Sequence, residues 1–358
     1  MTNLEFKPLY PDWTGRPIVM AGPCSAESEE QVLETARALA SQNIHLFRAG
    51  IWKPRTRPNS FEGVGSIGLK WLKKVKEETG LKVTTEVANR NHLSEALKFG
   101  VDVIWIGART TVNPFSVQEI ADGLQGVDIP VLIKNPINPD LNLWIGAIER
   151  IYKAGIQRIG VVHRGFSHYG NSPFRNEPRW SIPIELMRRF PDLTVICDNS
   201  HICGNRHMLG AIAQRAMDLN YHGLMTETHP NPDEAWSDAK QQITPEVFGT
   251  LIADLKIRDV SSSDESFLNH LEDLRHQIDL IDDQLLTYLG VRMELARKIG
   301  EYKKDNSISI LQPSRWNEIV ETAVEKGKGK GLSEIFIEKL LTAVHQESIS
   351  QQNKVMNQ

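Results

Sequence analysis

HLFRAGIWKPRT, residues 45–56, is a short apolar run that leads into a strongly basic loop. Pro54 fixes its own φ and keeps the preceding Lys53 out of the helical region, so the run ends in an extended turn. Guanidinium groups such as those of Arg48 and Arg55 match phosphate and carboxylate oxygens two at a time. The stretch therefore predicts a buried strand whose end binds a small, strongly anionic ligand. The alternative is a solvated basic loop.

The same unit, an apolar run followed by an amphipathic segment, recurs through the first 260 residues. The apolar runs are 17–24, 45–52, 82–87, 102–108, 130–135, 158–165, 193–201 and 223–229. Apolar strands that alternate with helices indicate a parallel sheet covered by helices, and about eight units in about 250 residues favour a (β/α)₈ TIM barrel. No GxGxxG follows the first strand, which argues against a dinucleotide-binding sheet. The predicted fold class is α/β, a TIM barrel followed by a small all-α domain.

Length and composition exclude several classes of protein. A chain of 358 residues can form two domains, or one large barrel with an appendage. The net charge of −4 gives no support for binding nucleic acid. The sequence has no apolar run of about 18 residues and no signal-like amino terminus, so we expect no membrane partner and a cytoplasmic location. The few cysteines, Cys24, Cys197 and Cys203, do not suggest a disulfide framework.

Ionisable or metal-binding side chains stand near the carboxyl ends of most of the predicted strands. In a closed parallel barrel these ends lie on one face, where the loops build the active site. Residues far apart in the sequence are therefore expected to converge on one basin. They divide into a set of metal ligands and a set of cations.

The expected metal ligands lie at or after strand ends, and they are Cys24, His201, Glu227 and Asp238. Sulfur, nitrogen and oxygen donors together suit several divalent transition metals, so manganese, iron, cobalt and zinc all remain open. Each residue also has an ordinary structural explanation. Cys24 could be a small buried residue, and His163 or His229 could compete with His201.

The second set consists of cations at or after the strand ends: Arg48, Lys53, Arg55, Arg109, Lys134 and Arg164. So many positive charges in one basin require more than one phosphate or carboxylate group to balance them. We therefore expect two anionic substrates, or one substrate with several anionic groups.

Short motifs occur in order along the first 258 residues: GPCS (22–25), KPRT (53–56), GARTT (107–111), IKNP (133–136), HRG (163–165), DNSH (198–201), ETHP (227–230) and SDAKQQ (237–242). They resemble the motifs of 3-deoxy-D-arabino-heptulosonate 7-phosphate (DAHP) synthases of the compact, core-barrel subfamily. The resemblance implies a metal-dependent, aldol-type condensation of phosphoenolpyruvate with erythrose 4-phosphate. This is the first step of the shikimate pathway.

The resemblance also implies roles for individual residues. The metal would be bound by Cys24, His201, Glu227 and Asp238. Phosphoenolpyruvate would be held by Arg48, Lys53, Arg109, Lys134 and Arg164, and the sugar phosphate by Arg55 and Thr56. From the chemistry of the reaction, either Lys53 or a metal-bound water would move the protons, and the choice between them stays open. The sister family that makes the eight-carbon analogue lacks KPRT here, and many of its members lack the metal-binding cysteine, so both features favour the seven-carbon product.

A different pattern begins after a serine-rich segment, DVSSSDES (259–266), which has the composition of a linker between domains at 1–258 and 267–358. From residue 267 to about 304, apolar residues alternate spacings of three and four, which predicts one long amphipathic helix. Such a helix would be about 55 Å long, too long for the rest of the chain to cover, so we expect an intertwined homodimer. Two further helices are expected at 314–326 and 333–352.

Residues 274–303, LRHQIDLIDDQLLTYLGVRMELARKIGEYK, resemble the first helix of all-helical chorismate mutases, and the likeness continues to Gln352. It implies the rearrangement of chorismate to prephenate, which needs no nucleophile or cofactor. The implied catalytic residues are Arg275 from the partner chain, Arg292, Lys303, Arg315 and Gln352. The chain departs from the family pattern at Gln312 and Trp316, where an acidic residue is usual, and this affects recognition of the ring hydroxyl.

Two functions remain open for the helical domain. It is either a mutase in a bifunctional enzyme, or mainly a regulatory module that senses prephenate or chorismate and adjusts the barrel allosterically. In both cases we expect prephenate to inhibit condensation. For the barrel, the alternative is condensation of phosphoenolpyruvate with another aldose phosphate.

Overall fold

The structure, a computed structural model, describes residues 4–54, 60–259, 261–311 and 313–357, with backbone alone at 313–315 and 317. The chain divides into two compact units, Met1–Val260 and Ser261–Gln358. None of the helices in these described ranges has the length and apolarity needed to cross a membrane.

The first unit is a closed barrel of parallel strands in sequential order, with β1 pairing to β8. The strands are β1 Ile18–Gly22, β2 Leu46–Arg48, β3 Val83–Val87, β4 Val103–Ile106, β5 Val131–Lys134, β6 Ile159–His163, β7 Thr194–Asp198 and β8 Gly223–Glu227. Nearly every strand residue is buried, as expected where helices cover a parallel sheet. The predicted TIM barrel is confirmed.

Helices follow the strands around the outside of the barrel. They are α1 Glu29–Ala40, α2 Ile67–Thr79, α3 Arg90–Lys98, α4 Ala108–Thr111, α5 Pro114–Leu124, α6 Leu141–Lys153, α7 Ser181–Arg189, α8 Asn199–Cys203, α9 Leu209–Asp218 and α10 Pro245–Ala253. Side-chain caps define where several of these helices begin. A backbone N–H in the first turn is accepted by Ser28 at α1, by Asn113 at α5 and by Asp140 at α6.

The amino-terminal segment packs into the interior of the barrel. Leu9 and Trp13 join a buried cluster with Ile18 and Val103, the first residues of their strands. The Tyr10 hydroxyl donates a hydrogen bond to the carbonyl of Asp102, just before β4. This segment therefore covers the amino ends of the strands, and the carboxyl ends remain for the site.

The second unit consists of three helices, α11 Glu265–Asp305, α12 Pro313–Lys328 and α13 Glu334–Met356. At about 1.5 Å per residue, α11 is about 60 Å long, and it packs along α13. Many of its apolar side chains are exposed, among them Leu274, Ile278, Ile281 and Leu285. The single chain thus leaves a long apolar face of α11 uncovered.

Candidate active sites

The carboxyl ends of the barrel strands enclose a small, strongly polar cavity of about 70 Å³. Its lining contains most of the residues predicted from the sequence, and consists of Cys24, Lys53, Pro54, Glu86, Ala108, Arg109, Lys134, Arg164, Arg175, His201 and Asp238. Arg48 and Glu227 lie next to it and are fully buried. Arg55 and Thr56 fall outside the described residues.

Three of the predicted metal ligands form one group in the described part of the chain. The sulfur of Cys24 and carboxylate oxygens of Glu227 and Asp238 all lie within 4.8 Å of one another. His201 lies beside the group, with its Nε2 atom 4.0 Å from Oδ2 of Asp238. Three of the four side chains predicted as ligands therefore form one group, and the fourth lies beside it.

Asp198 orients His201. It caps α8 by accepting the backbone N–H of His201, and its carboxylate lies 2.8 Å from Nδ1 of the same ring. A carboxylate on Nδ1 leaves Nε2, on the side of Asp238, available as a ligand. The competing histidines are engaged elsewhere, because His163 contacts Tyr221 and the carbonyl of Pro178, and His229 faces Glu27.

The donor set fits a divalent transition metal. Burial, followed by the charge of Glu227, raises the pKa of Cys24 to about 12. Burial also raises the pKa of the Asp238 carboxyl, but the opposing charges of His201 and Arg175 outweigh it and hold this pKa down at about 2. A thiol, an imidazole and two carboxylates in a buried cluster match a borderline metal, whose binding would displace the thiol proton.

Arg48 forms a buried ion pair with Glu227, with Nη1 2.9 Å from Oε1, and its Nη2 donates to the carbonyl of Cys24. Burial lowers the pKa of Arg48, but the charge of Glu227 reverses this and leaves it raised. Its Nε is buried without a hydrogen-bond partner among the described residues. Arg48 therefore holds Glu227, one of the predicted metal ligands, and adds positive charge next to the cavity.

The other cations surround the cavity. Lys53 Nζ lies 3.4 Å from the sulfur of Cys24 and also donates to its carbonyl. Lys134 pairs with Asp198 at 2.8 Å. Arg164 donates to Asn176, and burial lowers its pKa to about 10. A buried guanidinium whose charge is this costly has a strong drive to pair with an anion.

Arg175 and Gln241 were missed in the sequence. Arg175 Nη1 lies 3.0 Å from Oδ1 of Asp238 and donates to the amide oxygen of Gln241 at 2.6 Å. The amide nitrogen of Gln241 in turn donates to Glu227 at 2.6 Å and to Asp238 at 3.3 Å. Gln241 lies within the SDAKQQ motif, but Arg175 lies in the long loop after β6, where the strand-end rule does not apply.

Glu86 was also missed, although it lies near the end of β3 and the strand-end rule could have found it. Its carboxylate lines the cavity and accepts a hydrogen bond from the Trp105 indole at 3.0 Å. Gly107 makes room for it, because a Cβ there would lie 2.0 Å from Oε1 of Glu86. The cavity thus contains an acid among its cations.

The helical unit has its own cavity, of about 320 Å³. The lining brings together three of the predicted catalytic residues, and consists of Arg292, Leu295, Ala296, Ile299, Lys303, Ile310, Trp316, Ile319, His345, Ser348 and Gln352. Arg275 is not in this lining but lies on an exposed part of α11, 3.7 Å from Glu272. Gln312 and the side chain of Arg315 fall outside the described residues.

Contacts between α11 and α13 hold the polar residues in this cavity. Arg292 donates to Ser348, and Lys303 donates to the carbonyl of Ile310 at 2.6 Å. Gly300 permits the close approach of α13, because a Cβ there would lie 3.1 Å from Cα of Gln352. The Oε1 atom of Gln352 is buried without a partner among the described residues, which leaves an acceptor for a donor group of a ligand.

Two family models match the chain. The DAHP synthetase I family matches residues 14–260, and chorismate mutase type II matches residues 274–353. Each range lies within one of the two compact units.

Individual relatives cover the barrel. A phospho-2-dehydro-3-deoxyheptonate aldolase of Thermotoga maritima is 31% identical over 238 residues, covering 66% of this chain and 68% of the relative. A 2-dehydro-3-deoxyphosphooctonate aldolase of Vesicomyosocius okutanii is 31% identical over 270 residues, covering 70% and 93%. The crystal structure of a Thermotoga maritima DAHP synthase matches with a TM-score of 0.60 and 29% identity, covering 66% of this chain and 67% of that one. The chain therefore belongs to the DAHP synthetase I family and is a bifunctional enzyme, in which a DAHP synthase barrel is followed by a chorismate mutase type II domain.

Proposed function

We propose that the barrel condenses phosphoenolpyruvate with erythrose 4-phosphate to DAHP and phosphate, and that it needs a divalent metal. The observation that carries this proposal is the meeting of a sulfur, nitrogen and oxygen donor set with several cations in one cavity. A metal bound by Cys24, His201, Glu227 and Asp238 would supply a Lewis acid for the aldehyde oxygen. Its identity among manganese, iron, cobalt and zinc stays open.

The cations of the cavity would bind the substrates. Arg109, Lys134 and Arg164 line the cavity and would hold the phosphate and carboxylate of phosphoenolpyruvate, with Arg48 adding charge beneath them. Lys53, beside the Cys24 sulfur, is placed to bind the same substrate and to move a proton. Fixed cations of this kind hold two anionic substrates in register and stabilise charge as it develops.

Substrate choice tests the proposal, because relatives of this barrel include octonate aldolases. We expect kcat/KM with erythrose 4-phosphate to exceed that with arabinose 5-phosphate by at least about tenfold. Consumption of phosphoenolpyruvate would be measured with each sugar in parallel and with the same metal added. A preference for arabinose 5-phosphate would overturn the assignment and make the eight-carbon acid the product.

Loss of the Gln241 amide is expected to weaken metal binding. Gln241→Met keeps the length of the side chain but removes the donor that holds Glu227 and Asp238 in place. The dissociation constant for Mn²⁺ or Zn²⁺, measured by competition with a coloured chelator, should rise about 10- to 100-fold. Gln214→Met is the matched control, since Gln214 also makes amide hydrogen bonds but lies on the surface at α9. Equal dissociation constants in the two variants would show that Gln241 does not position the ligands.

For the helical domain we propose conversion of chorismate to prephenate within aromatic amino acid biosynthesis. The observation that carries this is one cavity that contains Arg292, Lys303 and Gln352. Arg292, with Arg315, would bind the carboxylates. Lys303 and Gln352 would face the ether oxygen, where negative charge develops as the bond breaks. Binding of chorismate in a compact, reactive conformer would supply the rest of the catalysis.

A purely regulatory helical domain is less well supported, because the match to the mutase family extends from residue 274 to 353 and the cavity keeps its polar residues. Inhibition of condensation by prephenate, measured at saturating prephenate, stays a prediction. A cytoplasmic location stays a prediction as well.

We further propose a homodimer built on α11, because its exposed apolar face needs a partner of similar length. Arg275 would then enter the partner's cavity. The test mixes two inactive variants, Arg275→Ala and Arg292→Ala, after unfolding and refolding them together. Half of the dimers would contain one chain of each variant. In such a dimer one of the two cavities has both arginines and the other has neither, so about a quarter of the wild-type mutase rate should return. Mixtures that stay inactive would place Arg275 outside the partner's site.

A further inference from the structure

The charged side chains in the described lining of the helical cavity are all positive. It contains Arg292 and Lys303 but no carboxylate. These cations suit the two carboxylates and the ether oxygen of a ligand such as chorismate. A ring hydroxyl, which both donates and accepts a hydrogen bond, needs a different partner.

Among the neutral polar side chains of the described lining, Ser348 is engaged by Arg292 and Gln352 is assigned to the ether oxygen, which leaves His345 to supply it. On α13, His345, Ser348 and Gln352 are spaced by three and four residues, so at about 100° per residue they share one face, and all three line the cavity. Neither ring nitrogen of His345 has a hydrogen-bond partner among the residues that the structure describes. The ring is half-buried and lines the cavity, so its nitrogens remain for a ligand to pair with.

Trp316 holds the ring of His345 in place. The two rings stack with centroids 4.2 Å apart and planes inclined by 21°. Stacking uses the faces of the rings, whereas the ring nitrogens direct their hydrogen bonds in the plane of the imidazole. The indole therefore fixes the orientation of His345 and leaves its nitrogens free.

We propose that His345, oriented by Trp316, binds the hydroxyl group of the ligand in this cavity and so determines specificity for a hydroxylated ring. The inference rests on the proposed mutase function of the same cavity. It also gives Trp316 a role at a position where an acidic residue is usual in this family. Trp316 is thus a positioning residue, and His345 is a substrate-binding residue.

The charge state of His345 is consistent with this role. Partial burial, followed by the charges of Arg292 and Lys303, lowers the pKa of His345 below its ordinary value. The ring is mainly neutral at pH 7, with one nitrogen as donor and the other as acceptor. The nitrogen that meets the hydroxyl can therefore donate to it or accept from it, according to the tautomer.

The test measures chorismate consumption by the full-length protein and by His345→Leu, using chorismate and an analogue that lacks the ring hydroxyl. In the wild type, loss of the hydroxyl should lower kcat/KM about tenfold. In His345→Leu, kcat/KM for chorismate should fall by a similar factor, and the analogue should then react as well as chorismate. His345→Gln keeps a donor and an acceptor, so it should recover part of the preference for chorismate over the analogue. Trp316→Ala should lose part of this preference.

Controls separate this inference from the proposed function. Gln346→Leu introduces the same side chain at the neighbouring, exposed position of α13 and should leave both substrates unaffected. If Arg292→Ala abolishes turnover while His345→Leu keeps the wild-type preference for the hydroxyl, the role of His345 is wrong and the mutase function stands. If the wild type neither converts chorismate nor binds prephenate in a calorimeter, both proposals fail together.

Discussion

Replacement of Cys24 by alanine is expected to lower DAHP formation by about 1,000-fold or more, because a metal acting as a Lewis acid contributes several kcal/mol to the barrier. Cys24 is the sulfur donor of the group it forms with Glu227 and Asp238. Added Mn²⁺ or Zn²⁺ should not restore the rate. The measurement is consumption of phosphoenolpyruvate in the presence of erythrose 4-phosphate.

The chain provides two internal controls for this result. Cys197→Ala removes another buried cysteine, whose side chain packs in the apolar core outside the cavity, and condensation should persist. Chorismate turnover by the Cys24→Ala protein should also be unchanged, because the mutase reaction needs no metal. An excess of chelator should lower DAHP formation by the wild-type protein to the rate of the Cys24→Ala variant. Full condensation in excess chelator would contradict the metal requirement.

Replacement of Arg292 by alanine is expected to lower chorismate turnover about 100- to 1,000-fold, because a substrate carboxylate loses its charged partner and the reactive conformer is no longer held in place. Arg292 lines the helical cavity and is held by Ser348. The measurement is the loss of chorismate absorbance with the purified full-length protein. Condensation in the barrel should continue at the wild-type rate.

Arg297→Ala is the matched control, because Arg297 lies on the same helix and contacts Gln351 at 3.1 Å, but does not line the cavity. It should retain most of the mutase activity. If neither the wild type nor any variant consumes chorismate above the uncatalysed rate while condensation is intact, the helical domain acts as a sensor. Its function would then be measured by ligand binding.

Periodicity and topology together made the barrel site predictable from the sequence. A parallel barrel brings every strand end to one face, so Cys24, Lys134, Arg164 and Glu227 could be grouped before any distance was known. The structure does bring these side chains to one cavity or its floor. The same logic identified the long helix, because the spacing of apolar residues along α11 depends only on the helical repeat.

Tertiary structure alone decided which side chains hold the ligands in position. Arg175 and Gln241 act through other side chains, and the loops that bring Arg175 to Gln241 and Gln241 to Glu227 follow paths that no periodicity describes. The stacking of Trp316 on His345 depends in the same way on how α12 meets α13. A repeat specifies which face of an element is apolar, whereas contacts between loops and between helices depend on packing, which is a property of the folded chain.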